Sequence, residues 1–166
     1  MGRTRLQLTL FLHGQAPVIE EIRVRYNPLQ AQLIAAHVTL CREDELAQLE
    51  LIKDNLSRLQ LPWPLVIHFG PPQRFNQGKG VLLTAVGDLT DFAHLRRLVL
   101  AGTNSAPREH QAHLTLMHPR NSACTDEIFA QLLNYTFPSA LTFSRVCLII
   151  QTDQQPWKPL DEFSLI

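Results

Sequence analysis

The stretch HLTLMHPR, residues 113–120, places a histidine two positions before a threonine inside an apolar run. Successive side chains of an extended strand point to opposite faces, so His113 and Thr115 share one face while Leu114 and Leu116 share the other. One face is therefore suited to a core, and the other carries an imidazole and a hydroxyl. The pattern predicts a half-buried strand with a polar, chemically capable face.

A nearly matching stretch, HVTLCRED, occupies residues 37–44, 76 positions before its counterpart. The same shift aligns the predicted strands and helices of the two halves of the chain, and it places His118 where the first copy has Arg42. A single offset that aligns both elements and motifs predicts a duplicated protein with pseudo-two-fold symmetry. Strand alternation would extend the polar face of the two copies to Cys41 and Met117.

Apolar periodicity predicts the element order βαβαβ twice, on either side of a proline- and glycine-rich segment, residues 70–80, that reads as a loop. The predicted strands are 6–12, 33–41, 65–69, 81–86, 112–118 and 144–152, and the predicted helices are about 17–27, 44–59, 88–102 and 125–136. We therefore expect one bilobal domain over residues 1–166, with repeat one at about 5–70, repeat two at about 80–152 and a C-terminal tail at 153–166.

The composition is that of a folded globular protein. The chain has 166 residues, of which 45% are hydrophobic, and its fifteen basic and fifteen acidic residues give no net formal charge. Proteins that bind nucleic acid through a long run of phosphate contacts need an excess of lysine and arginine, so this class is disfavoured. Recognition of a single phosphate or of a strand end stays open.

Three cysteines, Cys41, Cys124 and Cys147, are odd in number and lack the C-x-x-C spacing, so we expect no disulfide scaffold and a cytoplasmic location. The N-terminal apolar run alternates too strongly for a signal peptide. No stretch approaches the roughly 20 apolar residues of a membrane-spanning helix, so no membrane partner is expected.

If the two repeats face each other, His37 and His113 meet across a central groove, each beside a threonine, Thr39 or Thr115. The unperturbed pKa of histidine, about 6.5, lets one copy accept a proton while the other donates one. In-line displacement at phosphorus needs both roles, and threonine hydroxyls can donate hydrogen bonds to the non-bridging oxygens. This chemistry requires neither a metal nor a cofactor.

These residues resemble the two-histidine (2H) phosphoesterase superfamily, specifically its 2'-5' RNA ligase-like and cyclic-phosphodiesterase proteins. That family is marked by two H-x-[ST]-x tetrapeptides, which read HVTL at 37–40 and HLTL at 113–116 in this sequence. The resemblance implies an α+β, bilobal, duplicated fold, with antiparallel-containing sheets around a central groove and strands exchanged between the lobes. It also implies that the two histidines are the catalytic acid and base and that the two threonines bind phosphate.

Many members of that superfamily carry an arginine two positions after the second tetrapeptide, where this chain has His118. The first tetrapeptide is followed by Arg42 at the equivalent place, and Arg120 lies two residues beyond His118. We therefore leave open which of these three side chains contacts the substrate phosphate.

The resemblance implies hydrolysis of a 2',3'-cyclic phosphate or a 2'-5' phosphodiester of an RNA end or small nucleotide, without a metal, a cofactor or a protein partner. The alternative is a non-catalytic module that binds a phosphorylated nucleotide or RNA end. Three aromatic residues, Phe69, Phe75 and Trp157, could stack on a base at the rim of the groove or simply pack in the fold.

Overall fold

The computed structural model describes residues 2–104 and 109–166. Within them the strands are β1 (Thr4–Phe11), β2 (His37–Cys41), β3 (Leu65–Phe75), β4 (Gly80–Val86), β5 (His113–Met117), β6 (Ala140–Phe143), β7 (Arg145–Thr152) and β8 (Lys158–Ser164). The helices are α1 (Pro17–Tyr26), α2 (Pro28–Leu33), α3 (Leu49–Ser57), α4 (Thr90–Val99) and α5 (Asp126–Leu132), with a 3₁₀ helix at Glu43–Glu45.

The strands form an antiparallel sheet in the order β6-β3-β4-β5-β2-β1-β7-β8. Two four-stranded halves meet between β2 and β5, where Val38 pairs with Leu114. Strand β3 of the first repeat pairs with β4 and β6, and β7 of the second repeat pairs with β1, so the repeats exchange strands. The predicted α+β, bilobal, duplicated fold is confirmed.

The prediction of a loop over residues 70–80 is wrong, because β3 continues through this segment to Phe75 and turns back into β4. Both prolines, Pro71 and Pro72, lie beyond the part of β3 that pairs with β6, which ends at His68. Proline lacks a backbone N–H, so it is tolerated where a strand has a free edge. The register of β3 on β4 also shifts between Phe69 and Pro72.

Four further elements were missed or misplaced. The tail contains β8, whose residues are nearly all exposed and therefore lack an apolar signature. Pro28, which stops α1, also begins the short helix α2, in keeping with the preference of proline for the first helical position. The helix predicted at 44–59 is divided into the 3₁₀ helix at Glu43–Glu45 and α3, and β6 was not predicted.

The core forms between the apolar face of the sheet and the helices. Val38, Leu40, Leu114 and Leu116 are fully buried, and each leucine of this kind contributes about 1.5–3 kcal/mol relative to an exposed one. Helix α1 contacts β5 and helix α4 contacts β3, so the first helix of each repeat packs on a strand of the other repeat. In the described part of the chain, no helix is long and apolar enough to cross a membrane.

Candidate functional site

The junction of β2 and β5 brings the two tetrapeptides side by side. One step either way from the paired valine and leucine, the antiparallel register sets His37 opposite Thr115 and Thr39 opposite His113. All four side chains are half-buried, whereas their apolar neighbours are fully buried. The face shared by histidine and threonine therefore opens into a groove, and the leucine face closes the core.

The expectation that Cys41 and Met117 extend this polar face is wrong, because both are buried in the core. The neighbouring strands β1 and β4 each skip one residue of their partner, Leu40 in β2 and Leu116 in β5. Such a β-bulge reverses the alternation after it. Each motif thus ends in a bulge that turns the next side chain inward.

Both histidines are held in the same orientation. Nδ1 of His37 lies 2.8 Å from the main-chain oxygen of Ala35, and Nδ1 of His113 lies 2.9 Å from that of Gln111. A carbonyl oxygen can only accept, so Nδ1 carries the proton in each ring. The neutral rings therefore have Nε2 available as a proton acceptor toward the groove, and the protonated rings would offer an Nε2–H donor.

The Thr39 hydroxyl is oriented by Gln7 of β1. The side-chain amide of Gln7 donates to Thr39 Oγ1 at 3.0 Å and to Thr9 Oγ1 at 2.8 Å. Because the amide fills an acceptor position of the Thr39 hydroxyl, the hydroxyl proton remains available to a groove ligand. Among the described side chains, Thr115 has no hydrogen-bond partner of this kind, so the two halves of the site differ here.

The groove has a volume of about 610 Å³, and cationic side chains surround the histidines and threonines. Its guanidinium groups belong to Arg5, Arg23, Arg42 and Arg120, and its carboxylates belong to Glu43 and Asp44. Positive charge exceeds negative charge around a cavity of nucleotide size. This arrangement suits an anionic ligand such as a phosphate ester.

His118 lies against Arg120 within this lining. Nε of Arg120 is 3.1 Å from Nδ1 of His118, and a terminal guanidinium nitrogen is 3.1 Å from Nε2. Burial, followed by the positive charge of Arg120 and the proximity of His113, lowers the pKa of His118 to about 4. His118 is therefore neutral at pH 7, and its ring buttresses the Arg120 guanidinium.

Burial also lowers the pKa of His37 to about 4. The hydrogen bond to Ala35 raises this pKa, and the charges of Arg23 and His113 lower it by smaller amounts. His37 is thus neutral at pH 7 in the unliganded protein. Arg23 is itself buried, and it donates to the main-chain oxygen of Ile34 at 2.8 Å, just before β2. It therefore fixes the approach to His37 as well as influencing its charge.

Contacts between repeats hold the ends of both motifs. Arg96 of α4 donates to the main-chain oxygen of Leu40 at 2.5 Å and to Glu45 Oε2 at 2.6 Å, and Glu45 Oε1 accepts the backbone N–H of Arg42 at 3.1 Å. After β5, the backbone N–H of His118 donates to Asn27 Oδ1 at 2.8 Å. Each motif is anchored by a buried polar side chain from the other half of the sequence.

Of the three aromatic residues considered for base stacking, the structure places one at the groove and two away from it. Trp157 lines the groove, and the Arg5 guanidinium lies 5.1 Å from its ring centroid. Phe69 is buried in the core, and neither it nor Phe75 lines the groove.

Among the described residues, no group of three or more histidine, cysteine, aspartate or glutamate side chains could hold a metal ion.

The sequence matches the model of the 2'-5' RNA ligase superfamily over residues 12–155. The chain belongs to the 2'-5' RNA ligase superfamily. No curated protein matched the sequence.

Solved structures of this superfamily's fold match nearly the whole chain. Escherichia coli LigT complexed with 3'-AMP has 18% identity and a TM-score of 0.59, and LigT complexed with NADP⁺ has 16% identity and a TM-score of 0.60, each covering 99% of both chains. The TT0787 protein of Thermus thermophilus has 17% identity and a TM-score of 0.62, with 97% of both chains covered. At these identities the likeness shows the fold, and together with the superfamily match it supports a phosphoesterase-like function.

The seven residues that the sequence proposes for catalysis or phosphate contact all line this one groove: His37, Thr39, Arg42, His113, Thr115, His118 and Arg120. Sequence reasoning missed Arg5, Gln7 and Arg23, and it left the position of Trp157 open. A signal for two of the missed residues was present, because Arg5, Gln7 and Thr9 alternate with leucines in β1. Nothing local marks Arg23, since it reaches the groove only through the tertiary fold.

Proposed function

We propose that the protein is a metal-independent phosphoesterase that hydrolyses a 2',3'-cyclic phosphate or a 2'-5' phosphodiester at an RNA end or in a small nucleotide. The observation that carries this proposal is the matched pair of histidines, His37 and His113. Each has its Nδ1 proton bound to a main-chain oxygen, which leaves both Nε2 atoms facing one cationic groove. Two such groups can act as acid and base on opposite sides of one phosphorus atom.

In the proposed reaction, water attacks phosphorus while the neutral histidine removes a proton from it through Nε2. The bond between phosphorus and one ribose oxygen breaks, and the protonated histidine donates its Nε2 proton to that oxygen. The product is a phosphate monoester with a free ribose hydroxyl. The first histidine thereby gains a proton and the second loses one. Each histidine of such a pair typically contributes about 10²- to 10⁴-fold to the rate.

The remaining lining would stabilise the phosphate. Thr39, with its hydroxyl oriented by Gln7, and Thr115 would donate hydrogen bonds to the non-bridging oxygens. Arg42 and Arg120 would neutralise part of the charge, with Arg120 held by His118. These groups are in place before a ligand binds, which favours electrostatic stabilisation of the transition state.

The test is hydrolysis of nucleoside 2',3'-cyclic phosphates and 2'-5' dinucleotides in the presence of EDTA. Wild type should turn over at least one of these substrates, and His37→Ala and His113→Ala should each lose about 10²-fold or more. His68→Ala is the matched control, because His68 is an exposed histidine of β3 outside the groove. Absence of turnover on every base of both substrate classes would refute the enzyme and redirect the groove to binding.

A further inference from the structure

A second cavity adjoins the groove. Its volume is about 990 Å³, and Arg5 and Arg120 line both spaces. The two guanidinium groups therefore stand at the boundary between them. Arg5 is fixed there by Gln151, whose side-chain oxygen accepts two hydrogen bonds from its guanidinium, and by the ring of Trp157.

Beyond this boundary the lining combines cations with free amides. Arg3 adds a third guanidinium, which lies 3.8 Å from Glu43 Oε2 on a side chain that is 78% exposed. The side-chain amides of Gln32, Gln154 and Gln155 also line the cavity, and they make no hydrogen bond to the described residues. Asp153 is the acidic residue of this lining, and its carboxylate accepts the backbone N–H of Arg3 at 2.9 Å.

We infer that the second cavity binds the penultimate nucleotide of a single-stranded RNA, so that the substrate of the groove is an RNA end of two or more nucleotides. This inference rests on the proposed function. From a terminal nucleoside whose cyclic phosphate lies between the histidines, the chain continues through the 5' oxygen to the next phosphate. That phosphate would pass between Arg5 and Arg120, where the two cavities join.

The chemistry of the lining favours RNA over a mononucleotide alone. Guanidinium groups bind phosphate oxygens, and carboxamides offer both a donor and an acceptor to the edge of a base. The Arg5–Trp157 stack at the boundary presents a flat surface of the kind on which bases stack. A mononucleotide would fill the groove without reaching Arg3 or the amides of the second cavity.

The experiment compares kcat/KM for a nucleoside 2',3'-cyclic phosphate with kcat/KM for a trinucleotide that ends in the same group. We expect wild type to favour the trinucleotide by about tenfold or more, which is the effect of one or two added contacts. Arg3→Gln should reduce that ratio by about threefold to tenfold and weaken its salt dependence. Arg97→Gln is the charge-matched control, because Arg97 is an exposed residue of α4 that lines neither the groove nor the second cavity.

The outcomes separate this inference from the proposed function. Equal kcat/KM for both substrates, or equal ratios in wild type and Arg3→Gln, would overturn the second cavity's role and leave the phosphoesterase intact. If neither substrate is hydrolysed, and 2'-5' dinucleotides are not hydrolysed either, the proposed function fails. Fluorescence anisotropy with labelled trinucleotide and mononucleotide 3'-phosphates then decides the inference, since a trinucleotide that binds no tighter contradicts it.

Discussion

At the scale of single residues, the groove is defined by which polar atoms are already occupied. Nδ1 of each histidine is bound to a carbonyl oxygen two residues earlier, and the Thr39 hydroxyl accepts from Gln7. Those contacts leave Nε2 of His37 and His113 and the Thr39 hydroxyl proton for a ligand. The orientation of the proposed catalytic and phosphate-binding atoms is thus set by neighbours that need not touch the substrate.

Gln7 provides the sharpest test of this orientation. Gln7→Leu removes the donor to Thr39, and we expect kcat to fall by roughly tenfold, the effect of about 1.4 kcal/mol in the transition state. Gln7→Glu should be more damaging, because a carboxylate accepts the hydroxyl proton and turns it away from the phosphate. Steady-state kinetics of both variants would check this, and two variants with wild-type kcat would show that Gln7 does not position Thr39.

At the scale of elements, a buried ion pair connects helix α4 to strand β2. The Arg96 and Glu45 side chains are 3% and 6% exposed, and together they bind the main chain at both Leu40 and Arg42. Removing one member of such a pair leaves an uncompensated buried charge, whereas an exposed pair contributes little. This pair therefore fixes the end of the first motif to a helix of the second repeat.

We expect Arg96→Met and Glu45→Gln each to lower the free energy of unfolding by about 3–5 kcal/mol. The double variant Arg96→Met/Glu45→Gln should lose less than the sum of its single changes, because no lone charge remains buried. Urea denaturation measures all of these values. Asp54→Asn is the control, since its 2.9 Å pair with Arg58 is exposed and should contribute at most about 1 kcal/mol. Single variants of the buried pair that lose no more than this control would contradict the account.

At the scale of the whole molecule, duplication produces one sheet with the site at its centre. Strands β2 and β5 are equivalent in the two repeats, and they meet at a short antiparallel contact. Because each half-sheet contains a strand from the other repeat, neither repeat could complete its own half. The groove is therefore a property of the intact chain.

Three half-buried histidines, His37, His110 and His118, should make stability depend on pH. Burial is the largest cause that lowers each pKa to about 4, followed for His110 by the charge of Arg96, against about 6.5 in the unfolded chain. Between these values the unfolded state binds more protons, so stability is full above pH 6.5 and declines as the pH falls toward 4.

We expect the free energy of unfolding to decrease by about 2 kcal/mol in total between pH 7 and pH 5, after allowance for solvent screening. Urea titrations at several pH values would measure this. The variant His37→Gln/His110→Gln/His118→Gln should show a flatter dependence. A wild-type stability that is constant over this range would contradict the assigned burial of the three rings.

The parts of the site that sequence could predict depend on local alternation and on the repeat. Each tetrapeptide is a strand, so His37 shares a face with Thr39, and His113 shares a face with Thr115. The repeat predicts that these two strands are equivalent and face each other. Features set by neighbouring strands were not predictable. The bulges that bury Cys41 and Met117 depend on the registers of β1 and β4, which a single strand does not encode.

The strand order also explains which features of the fold could not be predicted from the sequence. Arg5 meets Trp157 because β1 pairs with β7, so residues about 150 positions apart come to the same rim. The apolar signature that predicts strands is absent from the exposed β8, and the prolines in β3 resembled a loop. These features depend on long-range pairing and on free strand edges, which local composition does not report.

The pH dependence of kcat/KM on a 2',3'-cyclic phosphate, measured with EDTA from pH 3 to 9, tests the paired-histidine mechanism most directly. We predict a bell-shaped profile for wild type, in which protonation of the base lowers the rate on the acidic side and deprotonation of the acid lowers it on the basic side, and a loss of about 10²-fold or more in His37→Ala and in His113→Ala. His68→Ala should retain the wild-type profile. A profile without limbs, or either alanine variant with wild-type kcat/KM, would contradict acid–base catalysis by this pair.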